Sequence, residues 1–385
     1  MSMPTGTRGP NEALIGKPGS RNALSTPALV LDLDIMEANI ASMAEHARAH
    51  NYEVRPVAKI HKCVEVSRRQ MAAGGRGPCC ATLAEAEAMV DGGLSDVMLF
   101  TSVVTAPKLE RLAALNARAD GLLVVADDAA NVKQLAKAAR KSGKPLQVLV
   151  DIEVGGGRTG LSDEQKAVEL SQLVSETDGL EFAGLQGYVG NHQNTVDYDA
   201  RCKRGRDLLQ PLVRVVENLH EKNLPPRIVS GGGTGTHDFD YELGVLTEVQ
   251  GGTYVFMDMN YRNVVMRRDD PHPFKQALSV RTTVVSAAQP GFVVTDAGIK
   301  EIDNLNGKVN AVIMKGAPEG AVYTLIGDDM GRITFAKPGD RMKVGDVVEL
   351  MTPHCYQTAI MYSHYNVVSR DKLVDIWPLE GRPNW

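Results

Sequence analysis

The sequence predicts an α/β fold: a (β/α)8 TIM barrel followed by a smaller all-β C-terminal domain. Three observations predict it. Eight short apolar runs alternate with helical patterns between residues 53 and 257. Several of these runs are β-branched and nearly continuous in apolarity, as strands buried on both faces of a parallel sheet are. From about residue 270 the pattern changes to short strands divided by turn signals, with no long amphipathic helix. Eight strand–helix units spread over about 230 residues suit a barrel, whose usual size is ~250 residues. An open doubly wound sheet satisfies the same count.

In chain order, residues 1–27 form a polar, Gly/Pro-rich arm expected to pack on the β-domain, 28–268 the barrel and 269–385 the β-domain. ALVLDL (28–33) is an apolar run ahead of the eight. The eight are EVRPVAK (53–59), GPCCATL (77–83), DVMLFT (96–101), GLLVVAD (121–127), LQVLVDI (146–152), FAGLQGY (182–188), RIVSGGG (227–233) and EVQGGTYVFM (248–257). Helices are expected over 35–50, 62–74, 106–118, 128–142, 163–177 and 197–223. Leu109, Leu112 and Leu115 recur at helical spacing, and Asp127 stands as the N-cap of the fourth of these helices. Such repetition implies right-handed βαβ units. The β-domain strands are read in VRTTVVSA, GFVVTDAG, VNAVIMK, AVYTLIG, RITFA, DVVELM and NVVSRDKLVDIW, punctuated by QPG, DDMG and KPGD.

Composition narrows the function classes. The 385 residues suffice for a large domain and a smaller one, and 43% hydrophobic with 23% charged residues is ordinary globular usage. The net charge is −5 and no Lys/Arg run occurs, so no nucleic-acid or membrane-surface partner is expected. No apolar run approaches the ~20 residues of a membrane span. The N-terminus lacks the apolar stretch of a secretory signal, which points to the cytoplasm. Five cysteines without a CxxC pair argue against a disulfide framework or a zinc cluster. All but Cys355 read as small buried hydrophobes.

In a barrel the chemistry sits where strands end. Lys59 ends an apolar strand. It is either a snorkelling surface lysine or a partly desolvated amine suited to Schiff-base chemistry. The loop SGGGTGT (230–236) offers backbone N–H groups and the hydroxyls of Ser230, Thr234 and Thr236 to a phosphate, or is simply a tight turn. GGTYVFMD (251–258) brings Thr253 and Tyr254 near it. Arg158 follows three glycines just past a strand end, placed for an anion or for a surface ion pair. Tyr188 ends another strand and either packs on a flat ring or fills the core. His354, Cys355 and Tyr356 lie in the loop TPHCYQT, where a histidine beside soft or acidic ligands can hold a divalent metal. A lone histidine is more often structural, and His61, His192 and His237 are read that way.

Taken together, VRPVAKIHK, GPCCATLAEAE, VDIEVGGGRTG, GLQGYVG, SGGGTGT, GGTYVFMD, DAGIK and TPHCYQT resemble the group of D-threonine aldolase, 3-hydroxy-D-aspartate aldolase and eukaryotic-type D-serine dehydratase. The resemblance spans nearly the whole chain and implies an alanine-racemase-like enzyme using pyridoxal 5'-phosphate (PLP). It assigns Lys59 as the Schiff-base lysine and Arg158 to the cofactor's phenolic oxygen. Tyr188 falls beside the ring and Thr82 near the cofactor. Gly235, Thr236, Thr253 and Tyr254 fall at the phosphate, with Ser230 in the same loop. His354 becomes the ligand of a divalent metal (Mg, Mn or Zn), with Tyr356 or Cys355 as second ligand.

This sequence departs from the pattern in three places. Val57 replaces a histidine, Asn191–Asn194 replaces a His-x-Gln-His pattern, and Tyr356 stands where Asp or Cys is usual. The activity implied is retro-aldol cleavage of D-β-hydroxy amino acids by a homodimer. Racemisation with Lys59 and Tyr356 or His354, and dehydration, are the alternatives. A non-catalytic PLP-binding protein would lack the β-domain.

Overall fold

A computed structural model describes residues 8–305 and 310–382. Residues 1–7 of the expected arm, and the first residue of the run read as VNAVIMK, lie outside the described residues. The chain enters through two 3-10 turns, Glu12–Leu14 and Ser20–Ala23, then β1 (Ala28–Asp32) and α1 (Leu33–Ala49). Strands and helices then alternate: β2 (Glu53–Val54), α2 (Val64–Ala72), β3 (Cys79–Cys80), α3 (Leu83–Asp91), β4 (Val97–Leu99) and α4 (Ala106–Arg118). There follow β5 (Leu122–Ala126), α5 (Ala129–Ser142), β6 (Leu146–Asp151), α6 (Glu164–Glu176), β7 (Leu180–Gly187), α7 (Tyr198–Glu221), β8 (Ile228–Gly231) and β9 (Glu248–Val249). The last stretch comprises β10 (Leu278–Ser286), β11 (Phe292–Thr295), β12 (Val312–Lys315), β13 (Val322–Leu325), β14 (Gly331–Thr334), β15 (Val347–Met351), the short α8 (Cys355–Ala359), β16 (His364–Ser369) and β17 (Lys372–Pro378).

The chain divides into two compact units. One gathers the chain up to Asn39 with Val255–Asn263 and Phe274–Leu379; the other gathers Ile40–Tyr254 with Val264–Pro273 and the chain from Glu380. The second is the barrel. Its eight strands run in the order β2-β9-β8-β7-β6-β5-β4-β3, every neighbouring pair parallel. The ring closes where Val57 bridges Cys79 in parallel and the Cys79 N–H donates to Pro56 O at 2.7 Å. That bridge excludes the open sheet. β5 is buried along its whole length, as a strand covered on both faces must be.

Arg55 locks the closure. It is wholly buried, and its Nε donates to Glu248 on β9. Its Nη1 donates to Gly77 O at 3.0 Å and Asp96 O at 2.9 Å, just ahead of β3 and β4.

The other unit is an all-β sheet with the path β13-β14-β11-β10-β1-β16-β17, to which β15 is added beside β10 and β12 beside β15. The run ALVLDL, set at the head of the barrel by sequence, is β1 of this sheet. It pairs antiparallel with β10 and parallel with β16. The reason is burial: four of its five residues are covered, which requires a neighbour on each edge. The described arm packs on the same unit, with Leu24 in a cluster with Val368 and Leu373.

Two local expectations are corrected. The N-cap of α5 is Asp128, whose carboxylate accepts from Ala130 N and Asn131 N. Asp127 instead accepts the Gly160 N–H at 3.0 Å, so it serves a neighbouring strand end. The run GPCCATL yields only a two-residue strand, because Thr82 starts α3. Among the described residues no helix is long and apolar enough to cross a membrane.

Candidate active site

Four strand ends of the barrel meet in one run of contacts, Lys59–Phe100–Arg158–Tyr188. Lys59 lies in the 3-10 turn Ala58–Ile60 after β2, half-buried, with Nζ 5.5 Å from the centre of the Phe100 ring. Phe100 itself follows β4. Arg158, past β6, places its guanidinium carbon 6.0 Å from the same ring and 5.3 Å from the ring of Tyr188, which follows β7. The turn before Arg158 wraps the Glu153 carboxylate, which accepts from Gly157 N at 3.1 Å and Arg158 N at 3.3 Å. Gly155 and Gly157 take positive φ there, which a side chain would resist. Burial raises the Tyr188 pKa against the pull of Arg158, so the phenol stays protonated.

Beneath Lys59 sits a second lysine. Lys62 is 1% exposed; its Nζ donates to Lys59 O and faces Glu85 at 3.5 Å. Glu85 also accepts the Ala81 N–H at 2.7 Å, while Thr82 Oγ1 accepts the Glu85 N–H at 3.2 Å. Thr82 thus caps the start of α3, with Glu85 reaching back to the residue before the cap. The Thr82 hydroxyl oxygen is spoken for by the helix.

The glycine loop after β8 is held from within. Thr236 Oγ1 accepts from Gly233 N at 3.0 Å, and Gln193 accepts the Gly235 N–H at 2.9 Å while donating to Thr236 Oγ1 at 3.2 Å. A Cβ on Gly235 would lie 1.7 Å from Gln193 O, so only glycine fits. Thr234 Oγ1 accepts from both Gly252 N and Tyr254 N at 3.2 Å, fastening the second loop to the first. Thr253 is buried between them. Tyr254 contributes its amide, not its phenol: the hydroxyl accepts from Gln70 at 2.9 Å. Ser230 faces the barrel interior, in a chain that runs Ser230–Gln250–Gln186–Asp151–Thr159 with links of 3.0, 3.1, 3.0 and 2.7 Å.

In the β-unit, Asp258, His354 and Cys355 bring one oxygen, one nitrogen and one sulfur within 4.8 Å of one another. The Cys355 N–H donates to Asp258 Oδ2 at 3.1 Å and fixes the arrangement at the start of α8. Burial pushes the Asp258 carboxyl up to about 6. The Tyr356 ring stands edge-on to His354, centroids 5.6 Å apart.

Residues 31–260 match the family described as alanine racemase, N-terminal domain, and 277–368 match the serine dehydratase domain. The chain is 35% identical over 373 residues to a D-threonine aldolase of Arthrobacter sp., covering 97% of this chain and 96% of the relative. The chain belongs to the D-threonine aldolase family of alanine-racemase-like proteins. It is also 33% identical over 363 residues to a 3-hydroxy-D-aspartate aldolase of Paracoccus denitrificans strain Pd 1222, covering 93% and 92% of the two chains. The crystal structure of D-threonine aldolase from Filomicrobium marinum superposes with a TM-score of 0.88 at 34% identity, over 94% of this chain and 96% of that one.

The family implies PLP, and the residues present fit it. A strand-end lysine stands over an aromatic ring that an arginine also faces, and a glycine loop leaves no room for side chains where the family binds phosphate. Of the residues expected from sequence, Lys59, Arg158 and Tyr188 share one aromatic cluster. Gly235, Thr236, Thr253 and Tyr254 share the two-loop body. Ser230 and Thr82 each accept an internal bond at the hydroxyl oxygen. Phe100, Gln193 and Asp258 were not singled out as site residues. The signal for Asp258 was its place at the end of GGTYVFMD; for Phe100, its place at the end of DVMLFT.

Proposed function

We propose that this chain is a PLP-dependent lyase cleaving the Cα–Cβ bond of D-β-hydroxy amino acids. The observation that carries it is the contact run of Lys59 and Arg158 on Phe100 and of Arg158 on Tyr188, at the ends of strands in a closed barrel. When bound, the cofactor supplies an electron sink for the pair left on Cα. Lys59 offers a primary amine at a half-buried strand end, the setting in which a lysine works as a nucleophile. Arg158 gives a permanent cation for an anionic oxygen. Tyr188, kept neutral, donates a hydrogen bond rather than acting as a base.

The β-hydroxyl must lose its proton as it becomes the aldehyde carbonyl. His354 is the residue of that chemical type, 29% exposed and 3.8 Å from Asp258. The Asp258, His354 and Cys355 donors suit zinc better than magnesium or manganese, which prefer oxygen. A zinc ion held there would serve as a Lewis acid toward a hydroxyl. Cys355, not Tyr356, is the second ligand on this reading, with Asp258 as a third.

The test loads purified protein with PLP and supplies D-threonine or D-3-hydroxyaspartate, with and without EDTA. Glycine plus equimolar aldehyde, lost with EDTA and restored by zinc, is expected. Lys59→Ala should abolish the visible cofactor band and the cleavage while leaving the fold intact. Keto acid and ammonia as products would move the assignment to a dehydratase. Scrambled configuration that ignores EDTA would move it to a racemase.

A further inference from the structure

The loop SGGGTGT contains no lysine or arginine. Two buried arginines nevertheless act on it. Arg201 is 0% exposed, and its Nε donates to Gly235 O at 2.7 Å. Arg267, 8% exposed, donates from Nε to His237 Nε2 at 3.0 Å. The His237 Nδ1 lies 2.8 Å from Thr234 O.

Those contacts settle the tautomer. Nε2 accepts from a guanidinium that cannot give up its proton, so the imidazole proton sits on Nδ1 and is donated to Thr234 O. Burial first, then the neighbouring Arg267, hold the His237 pKa well below its ordinary value, so the ring is neutral. A permanent cation is therefore linked through one neutral ring to the carbonyl of Thr234. Arg267 is aimed by α1, since its Nη1 and Nη2 donate to Ser42 Oγ at 3.2 Å and Ser42 O at 3.1 Å.

Gly235 O thus receives a charge-assisted bond, roughly twice as strong as a neutral one, and Thr234 O receives a neutral imidazole N–H polarised in turn by the Arg267 guanidinium. The amides of those two peptides, Gly235 N–H and Thr236 N–H, already donate to Gln193 Oε1 at 2.9 Å and to Gly233 O at 3.2 Å, so the arginines act on an anion through the charge they carry into the loop rather than through those donors. Positive potential thus enters a loop built of neutral residues. We propose that Arg201 and Arg267, the latter through His237, are positioning residues that adapt this loop to a dianionic phosphate group. The inference rests on the PLP reading of the site.

The test compares two probes on apoprotein refilled in solution: PLP, and pyridoxal, which lacks the phosphate. Dissociation constants are read from the visible band. Arg267→Met should weaken PLP about tenfold, a change of about 1.4 kcal/mol, and leave pyridoxal within about twofold. Arg267→Lys should recover part of the loss. His237→Asn keeps a donor near Thr234 O but cuts the link to Arg267, and should show a smaller selective loss of PLP. If Arg267→Met fails to fold, His237→Asn decides. Equal losses for both probes, or no loss in folded variants, would overturn the inference. A wild-type protein that binds neither probe would instead sink the cofactor reading on which it stands.

Discussion

Asp240 shows how a single buried carboxyl shapes pH behaviour. It is 2% exposed and lies where a Cβ on Gly232 would come within 2.4 Å of Oδ2. Burial raises its pKa from 3.8 to about 7, against weaker opposing effects of the Thr236 hydroxyl and the Arg201 charge. The folded value exceeds the unfolded one, so stability is full below the unfolded value and falls as pH rises toward 7. Three units correspond to a ceiling of roughly 4 kcal/mol. Asp240→Asn should be close to neutral near pH 4 and stabilising near pH 8, read as urea midpoints at the two pH values. A variant equally stable to wild type at both would refute a buried acid here. His192 acts in the opposite sense. Burial, then Arg204 and Arg201, lower its pKa to about 4, so its contribution is lost as pH falls below 6.5. At this scale the strand-end position of Lys59 was legible, because a strand end is readable from an apolar run, while its role came only with the resemblance. Asp258 was not, because the chain brings it to His354 and Cys355 only through the fold.

The barrel closure carries the element-scale prediction. Arg55→Met leaves Glu248, 1% exposed, without its guanidinium. An orphaned buried charge costs about 3–5 kcal/mol, whereas replacing both partners by apolar residues is often neutral. The single variant should therefore lose that much in urea unfolding, and the double variant Arg55→Met with Glu248→Leu should regain most of it. A single variant as stable as wild type would show that the pair does not hold the ring. Elements were read best where period and length agreed: α4 spans Ala106–Arg118, as Leu109, Leu112 and Leu115 implied. Short elements were read worst. α3, of nine residues, starts at the last residue of a run taken as strand and continues through residues given no element, and α8, of five, falls mostly in a stretch taken as loop. The Thr82–Glu85 spacing was the overlooked sign of α3.

For the whole molecule, the change of pattern near residue 270 located the all-β section, but sequence order hid how the units interleave. β1 sits between β10 and β16, some 250 and more than 330 residues away in the chain. No local pattern encodes such a pairing, since its hydrogen-bond partners are supplied by distant segments. The apolar run could say only that it was buried, not by what. The order of the barrel strands was more readable, because each neighbours the next and the handedness of βαβ units removes the choice.

The five cysteines are all unpaired and buried. Cys202 is 8% exposed; Cys63, Cys79, Cys80 and Cys355 are 0% exposed. Burial lifts the pKa of each, so in the metal-free native protein all are held as unreactive thiols. A thiol-specific dye should therefore count openings rather than surface sites. Cys202 should stain first, and the other four only as fast as the polypeptide around them comes apart. Cys355 belongs to the β-unit and Cys63, Cys79 and Cys80 to the barrel. Tryptic mapping of the dye over time would give each unit its own clock within one sample, and coincident clocks would mean that the two come undone together.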